Sequence, residues 1–379
     1  MSLTQEIKDF ALDLGYTKVG VTPAEDFPNY AKELLSRGQG YDWYVESHRQ
    51  PLAGTNLTST LPGARSILTV AFDYARTAFP EALVGRVGRL YQARVHNQPP
   101  HRIHGARFQL LRQFLERRGC DPLSGAVVPE RWVAARAGTV TFGKNNFAFA
   151  EGIGSWVILG SFILEQELEF DAPTMEVRCP PSCEACVKAC PTKALSAPLK
   201  LDPRRCIAFN TFMTQDGQGG GVTSHIPLEI RGMMGTWIHG CDICQEVCPR
   251  NQARLRAKLP EDPYLEKVAK DFSLKEILRG DDAYFARNVL PLMSSYMTDK
   301  KYFRRNAAIA MGNLGDPGAG PDLALAMLDP EPVVRHHAAW ALGRIGGALA
   351  RKSLEGGLQR APDEFEREAI KMALAQVPN

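Results

Sequence analysis

The stretch Cys179-Pro-Pro-Ser-Cys-Glu-Ala-Cys-Val-Lys-Ala-Cys-Pro191, joined further along by Cys241-Asp-Ile-Cys-Gln-Glu-Val-Cys-Pro249, decides the reading of this chain. Cys206 lies between the two blocks, so eight of the nine cysteines fall between positions 179 and 248. A [4Fe–4S] cubane takes four thiolates, and a C-x2-C-x2-C-x3-C-P run gives three to one cluster and its last to the other. The thiolates therefore suffice for two cubanes, and the chemistry they imply is one-electron transfer. A disulfide framework is the weaker alternative, because the cysteine count is odd and the spacing is that of metal ligands.

Around the cysteines, 379 residues with 44% hydrophobic and 23% charged side chains describe a soluble globular protein of two or three domains. The first residues, Met1-Ser-Leu-Thr-Gln-Glu-Ile, lack a basic-then-apolar signal pattern, and the apolar run near 153–164 is too short for a bilayer. The expected compartment is the cytoplasm. A net charge of +3 implies no global attraction to nucleic acid, so any such attraction must be local.

Three parts are expected. Residues 1–168 alternate helical stretches (5–14, 30–37) with apolar runs (Lys18-Val-Gly-Val-Thr, Ser66-Ile-Leu-Thr-Val-Ala-Phe), which predicts an α/β domain. Residues 169–260 are cysteine-rich, include the glycine-rich loop Asp216–Val222, and would fold around their clusters as much as around a core. Residues 261–379 repeat: Arg304-Arg-Asn-Ala-Ala-Ile-Ala-Met-Gly-Asn-Leu-Gly returns 31 positions on as Arg335-His-His-Ala-Ala-Trp-Ala-Leu-Gly-Arg-Ile-Gly, with a weaker copy from Arg367. That period, with alanines on one face, resembles HEAT-type helical repeats. The predicted class is thus mixed α+β / α/β, ending in helical repeats.

Two basic features bear on partners. From Arg86 to Arg118 eight arginines and three histidines face the single acid Glu116. They form either a phosphate site or the solvated face of a helix built around Phe108, Leu111 and Leu115. The repeats carry Lys300, Lys301, Arg304, Arg305, Arg335, His336 and His337 at one end. These would make a phosphate-binding ridge, or else the repeats form a cap over the cluster domain with its charges in solvent.

The order of segments says more than any one of them. Leu14-Gly-Tyr-Thr-Lys-Val-Gly-Val-Thr, Leu61-Pro-Gly-Ala-Arg-Ser-Ile, Gly143-Lys-Asn, Gly154-Ser-Trp-Val-Ile-Leu-Gly, Cys190-Pro-Thr-Lys-Ala, Arg205-Cys-Ile and His239-Gly-Cys-Asp-Ile-Cys-Gln-Glu-Val-Cys-Pro-Arg-Asn follow one another. Over nearly its whole length the chain resembles the epoxyqueuosine reductases, corrinoid- and iron–sulfur-dependent enzymes that finish queuosine synthesis in tRNA. The resemblance implies Cys179, Cys183, Cys186 and Cys248 on one cluster and Cys190, Cys206, Cys241 and Cys244 on the other. It implies electrons from a ferredoxin or flavodoxin passing through the outer cluster to the inner one and on to cobalt. It also implies a reductive-dehalogenase-like first domain holding cobalamin, with contacts expected at Tyr91, Lys144, Asn145, Ser155 and Trp156. Read without the family order, Gly143-Lys-Asn and Gly154-Ser-Trp are ordinary turns. One spacing departs: Cys179 to Cys183 is C-x3-C where the family has C-x2-C, with Pro180 and Pro181 filling the gap.

A second departure touches catalysis. Aligned back from Glu130, the position of the family's proton-donating aspartate falls on Ser124. Opening an epoxide to an alkene releases oxygen as water and needs a positioned acid, and losing one costs a factor of about 10²–10⁴. Asp121 or Glu130 are the candidate replacements, while Cys120 in the same loop reads as a buried core thiol. Three functions follow. The first is an epoxyqueuosine reductase with another acid, acting on tRNA as a monomer. The second is a related corrinoid iron–sulfur reductase of a small organic substrate. The third is a non-catalytic electron-transfer or RNA-binding protein.

Overall fold

A computed structural model describes residues 1–37, 41, 51–93, 103–212, 225–293 and 299–377. The loop 216–222, most of the stretch 96–104, and Arg94 and Arg102 lie outside the described residues.

The first part is a four-stranded sheet in the order β1 (Lys18–Pro23), β2 (Ser66–Asp73), β6 (Val157–Leu164), β3 (Pro122–Leu123). Every pairing is antiparallel, with Val19 opposite Val70, Val70 opposite Gly160 and Leu123 opposite Ile163. The expected mixed α+β / α/β class is found, and antiparallel pairing puts this sheet on the α+β side of it. Helix and strand signals alternate in the sequence, but strand direction is set by the connections, which periodicity does not record.

β2 is buried along its whole length because it is central and covered on both faces. Its alternate side chains Leu68, Val70 and Phe72 join Ile7 and Ala11 of α1 (Leu3–Asp13) and Leu111 and Leu115 of α3 (Ile103–Arg117). Ile67 faces the other way, with Ile163, onto Val128 and onto Val133 of α4 (Glu130–Arg136). This is the two-residue alternation of a strand sorting apolar side chains into two cores, each fully buried one stabilising by about 1.5–3 kcal/mol. The remaining expected helix of this part is α2 (Pro28–Ser36). Of the arginine run, Arg107 lies over Phe72, Arg112 over Phe162, and Arg118 pairs with Glu6. Leu111 and Leu115 are buried one and two turns along from Arg107, so residues 107–118 follow the reading of a helix built on its apolar side.

Between β3 and β6 a hairpin pairs β4 (Thr141–Phe142) with β5 (Ala148–Phe149) and presents residues 143–147 at its tip. The cysteine blocks each carry a short helix, α5 (Ala185–Ala189) and α6 (Ile243–Glu246), and the two pack together.

The repeats are α7 (Lys300–Leu314), α8 (Pro332–Ile345), α9 (Gly347–Arg360) and α10 (Glu364–Leu374), with shorter helices between. Asp299 caps α7 by accepting from Lys301 N, Asp363 caps α10 by accepting from Glu366 N, and Pro332 opens α8 where a missing N–H costs nothing. α7 packs on α8 and α8 on α10. A Cβ on Gly312 would come within 2.8 Å of Ala341 Cα, and one on Gly343 within 2.7 Å of the Ala373 carbonyl oxygen. The 31-residue period thus sets a glycine at each crossing.

The largest core joins these helices to Leu83, Val87, Tyr91, Ile207, Ile230 and Ile238. Packing is therefore shared across the divisions that pattern suggests. No described helix is long and apolar enough to cross a membrane.

Candidate functional site

The cysteines of the two blocks, none of them in a disulfide, fall into two sets by mutual influence. Burial raises the thiols of Cys186 and Cys248, and the charges of Cys179 and, for Cys248, Cys183 raise them further. Burial likewise raises Cys206, Cys241 and Cys244; Cys190 acts on the first two, and Cys206 on the latter two. Cys244 also feels Cys186, so the sets lie near each other. A thiol pushed up by burial and by neighbouring thiolates is relieved when a cationic metal core shares the site, which is the environment a cubane needs.

The C-x3-C departure is accommodated locally. Cys183 N donates to Pro180 O at 3.0 Å, closing the Pro-Pro-Ser turn. Lys144, at the hairpin tip, donates from Nζ to Pro180 O (2.9 Å), Pro181 O (2.7 Å) and Cys183 O (2.9 Å). All three ammonium hydrogens are used.

Next to it Asn145, 4% exposed, donates from Nδ2 to Cys244 O at 3.0 Å. Ser155 O–H donates to Gln245 Oε1 at 2.9 Å, and Asn251 grips Ser155 from both ends, accepting from its N–H (2.8 Å) and donating to its Oγ (2.8 Å). Lys144 and Asn145, expected against a cofactor, thus fasten the first domain to the backbone of the cysteine blocks, and Ser155, also expected there, fastens it to side chains of the second block and of Asn251. Trp156 is fully buried, edge-on to Tyr74. Tyr91 lies 4.2 Å from the ring of His239, whose imidazole burial drives down to about 3.

Arg89, Asp242, Gln245, Asn251 and Asn306 complete this junction and were not expected from residue type. Asp242 Oδ2 accepts from Arg89 N at 2.7 Å, and burial lifts its carboxyl to about 7. Arg89 also reaches Glu246 at 3.0 Å. The signal for three of them was their place inside or beside the second block, Cys241 to Asn251. At the same junction Trp156 Nε1, Arg89 Nε and Gln92 Nε2 are buried donors with no hydrogen-bond acceptor among the described residues, Arg89 Nε standing 3.9 Å from Asp242 Oδ2. Such donors suit a bound group rich in acceptor oxygens. A cavity of about 390 Å³ opens beside Arg178 and Arg250, where Arg250 donates to Thr141 Oγ1 and lies 4.1 Å over Phe149.

The candidate acids differ in setting. Ser124 and Asp121 are exposed. Glu130, at the start of α4, accepts from Ser161 Oγ at 2.6 Å, and burial lifts its carboxyl to about 7. Arg131 beside it donates to Asn146 O at 2.8 Å, tying this end of α4 to the hairpin tip. Cys120 is buried.

The expected basic ridge on the repeats is corrected. Arg305 and His337 are wholly buried and His336 nearly so. Arg304 pairs with Asp329, Arg335 with Glu366, Lys300 with Asp282 and Lys301 with Asp299. The acids that neutralise Arg304 and Arg335 come from later turns of the array, which a local reading of charge does not reach.

Residues 178–251 match the 4Fe-4S double cluster binding domain, and residues 289–375 match HEAT repeats. The chain is 30% identical to the epoxyqueuosine reductase of Staphylococcus aureus over 97% of its own length and 96% of the relative's. It is 31% identical to that of Bacillus subtilis over 98% and 95%. Among solved structures it is similar to epoxyqueuosine reductase from Bacillus subtilis with its catalytic loop swung out of the active site, at a TM-score of 0.82, 30% identity and 99% coverage of each chain. It is equally similar, at a TM-score of 0.81, 30% identity and coverage of 99% and 98%, to an epoxyqueuosine reductase with a tRNA-Tyr epoxyqueuosine-modified stem loop.

Proposed function

The chain belongs to the epoxyqueuosine reductase family, and from that membership we propose that it reduces epoxyqueuosine in tRNA to queuosine. The observation that carries the proposal is full-length similarity to these enzymes combined with eight thiols in two neighbouring sets. The reaction takes two electrons and two protons, leaves an alkene, and releases the epoxide oxygen as water.

Two [4Fe–4S] clusters deliver the electrons. Cys179, Cys183, Cys186 and Cys248 hold the outer one, and Cys190, Cys206, Cys241 and Cys244 the inner. Cys179 and Cys183 keep some exposure, as do the four cysteines of the inner set, so entry of electrons from a ferredoxin or flavodoxin at the outer cluster rests on the family resemblance. A cobalamin, when bound, supplies electrons to the epoxide carbon through its cobalt. The acceptor-less donors Trp156, Arg89 and Gln92 fit its amide groups, with Tyr91 beside them. Lys144, Asn145 and Ser155 hold the two walls of that junction together.

Glu130 is the proton donor better supported than Ser124 or Asp121. A carboxyl with a pKa near 7 keeps its proton at neutral pH and yet gives it up readily. One chain carries every group required, so a monomer suffices, working in the cytoplasm where tRNA and reduced donor proteins meet.

The test is anaerobic turnover of cluster-reconstituted, cobalamin-loaded protein on epoxyqueuosine-containing tRNA, read by nucleoside mass spectrometry. Conversion to queuosine is expected. Loaded protein that converts nothing would overturn the proposal in favour of a small organic substrate, the reading that Ser124 favours. Failure to bind cobalamin would favour electron transfer or RNA binding alone.

A further inference from the structure

The first repeat helix reaches into the inner-cluster segments through one buried side chain. Asn306 of α7 is wholly buried. Its Nδ2 donates to Thr211 O at 2.9 Å and to Ile238 O at 2.7 Å. Those carbonyls belong to two separate segments: the helix that starts directly after Cys206, and the turn that runs directly into Cys241.

The amide is also aimed. Arg305, equally buried, donates from Nε to Asn306 Oδ1 at 3.0 Å, which leaves Nδ2 turned to the two carbonyls. Arg305 Nη2 donates to Asn210 O at 2.8 Å. Asn210 in turn donates to Cys206 O at 2.9 Å, and Gly240 N donates to Thr211 Oγ1 at 2.9 Å. The last two links engage the backbone of Cys206 itself and of Gly240, which directly precedes Cys241.

Seven residues on, on the same face of α7, Asn313 makes the same bidentate grip on Arg231 O (2.8 Å) and Gly235 O (2.9 Å). That segment carries no cysteine. The molecule therefore contains its own control, two asparagines of one helix with one geometry and different cargo.

We infer that Asn306 is a positioning residue for the inner cluster, holding the Cys206 and Cys241 segments in register so that the repeats govern that cluster and leave the outer one alone. The inference rests on the cysteine assignment made under the proposed function. Loss of the amide leaves two buried carbonyls unpaired at the base of both ligand segments, and the ligands shift against each other.

The experiment uses the full chain with both clusters reconstituted anaerobically, comparing Asn306→Leu with Asn313→Leu. Release of iron to a chelator, the EPR spectrum of the dithionite-reduced protein and the midpoint potential of each cluster are read together with Tm. For Asn306→Leu, half the iron is expected to leave about tenfold faster, with one EPR signal and one potential changed. Asn313→Leu should lower Tm without either effect. One common rate for all the iron, or the same selective change in Asn313→Leu, would overturn the inference. Should Asn306→Leu not fold, Asn306→Gln decides, because it keeps the amide and displaces it by one methylene: wild-type release and potentials there overturn the inference, and selective release supports it. Cys206→Ala separates the premise from the inference. If it loses all the iron or none, the cysteine assignment fails whatever Asn306 does.

Discussion

The two cysteine blocks do the same chemical job in different surroundings. The first, Cys179–Cys190, has a five-residue helix and little apolar burial around it, and its turn is gathered by the ammonium of Lys144 on three carbonyls. The second, with Cys206, is set into the largest core of the molecule, beside Ile207, Ile230, Trp237 and Ile238, under α7. Hydrogen bonds fasten the one, and hydrogen bonds set within hydrophobic packing the other. A shallow site admits an electron donor, whereas a deep one excludes water and makes each hydrogen bond to its backbone count for more. Burial also penalises the extra negative charge of a reduced cluster, so the deep site depends more on its polar ties.

The harshest way to test this contrast is to remove one ligand from each side. Cys183→Ala and Cys206→Ala should both abolish turnover, but only Cys206→Ala should also lower Tm sharply; iron content and calorimetry on the two variants decide. Loss of the candidate acid should spare both clusters. Glu130→Gln is expected to cost about 10²–10⁴ in turnover with iron content intact. The wild-type rate should fall as pH rises above about 7, where Glu130 loses its proton, and this limb should vanish in the variant. Lys144→Met should loosen the shallow side alone, with the outer cluster released to chelator about tenfold faster and stability lowered by about 2 kcal/mol.

Acid should work on the deep side. His336 is held down to about 3 by burial and by Arg231 and His225, and His337 is held well below its usual value by burial, Arg231, His336 and Arg305. Asp363 and Glu366 face the same cluster and act on His225 in the opposite sense. These imidazoles are neutral when folded and protonate at about 6.5 when unfolded, so stability is lost as pH falls from 6.5 towards 3. Tm measured between pH 7.5 and 5 should fall, and less steeply in His336→Asn. The smallest effect belongs to the cap of α7: Asp299→Ala should cost about 1 kcal/mol and speed iron loss slightly from the inner cluster only.

What the sequence makes legible follows the range of the forces involved. The strands 18–23, 66–73 and 157–164 and the repeat helices were visible because burial writes a local period into the chain. The ligand spacing was visible because a cubane fixes the separation of its thiolates. The antiparallel order of the sheet was not, since pairing direction leaves no mark on a strand's own residues. Nor was the neutralisation of Arg335 by Glu366, 31 positions further on. Lys144, Asn145 and Ser155 stood out as motif residues, but their partners are backbone carbonyls and polar side chains of distant loops, which have no signature of their own. Asn306 was a single letter between two arginines and the alanines of a repeat.

The glycines at the helix crossings have a consequence for history. Gly312 receives α8 and Gly343 receives α10 through the same notch, so each unit docks on its predecessor as that one docked before it. In the weaker third copy the corresponding position is Ala375, which is exposed. Duplication or loss of one 31-residue module would therefore shift the outer rim by a single helix-pair step while the joint at Asn306 stayed as it is. The array is a part whose length selection can alter without retuning the electron path beneath it.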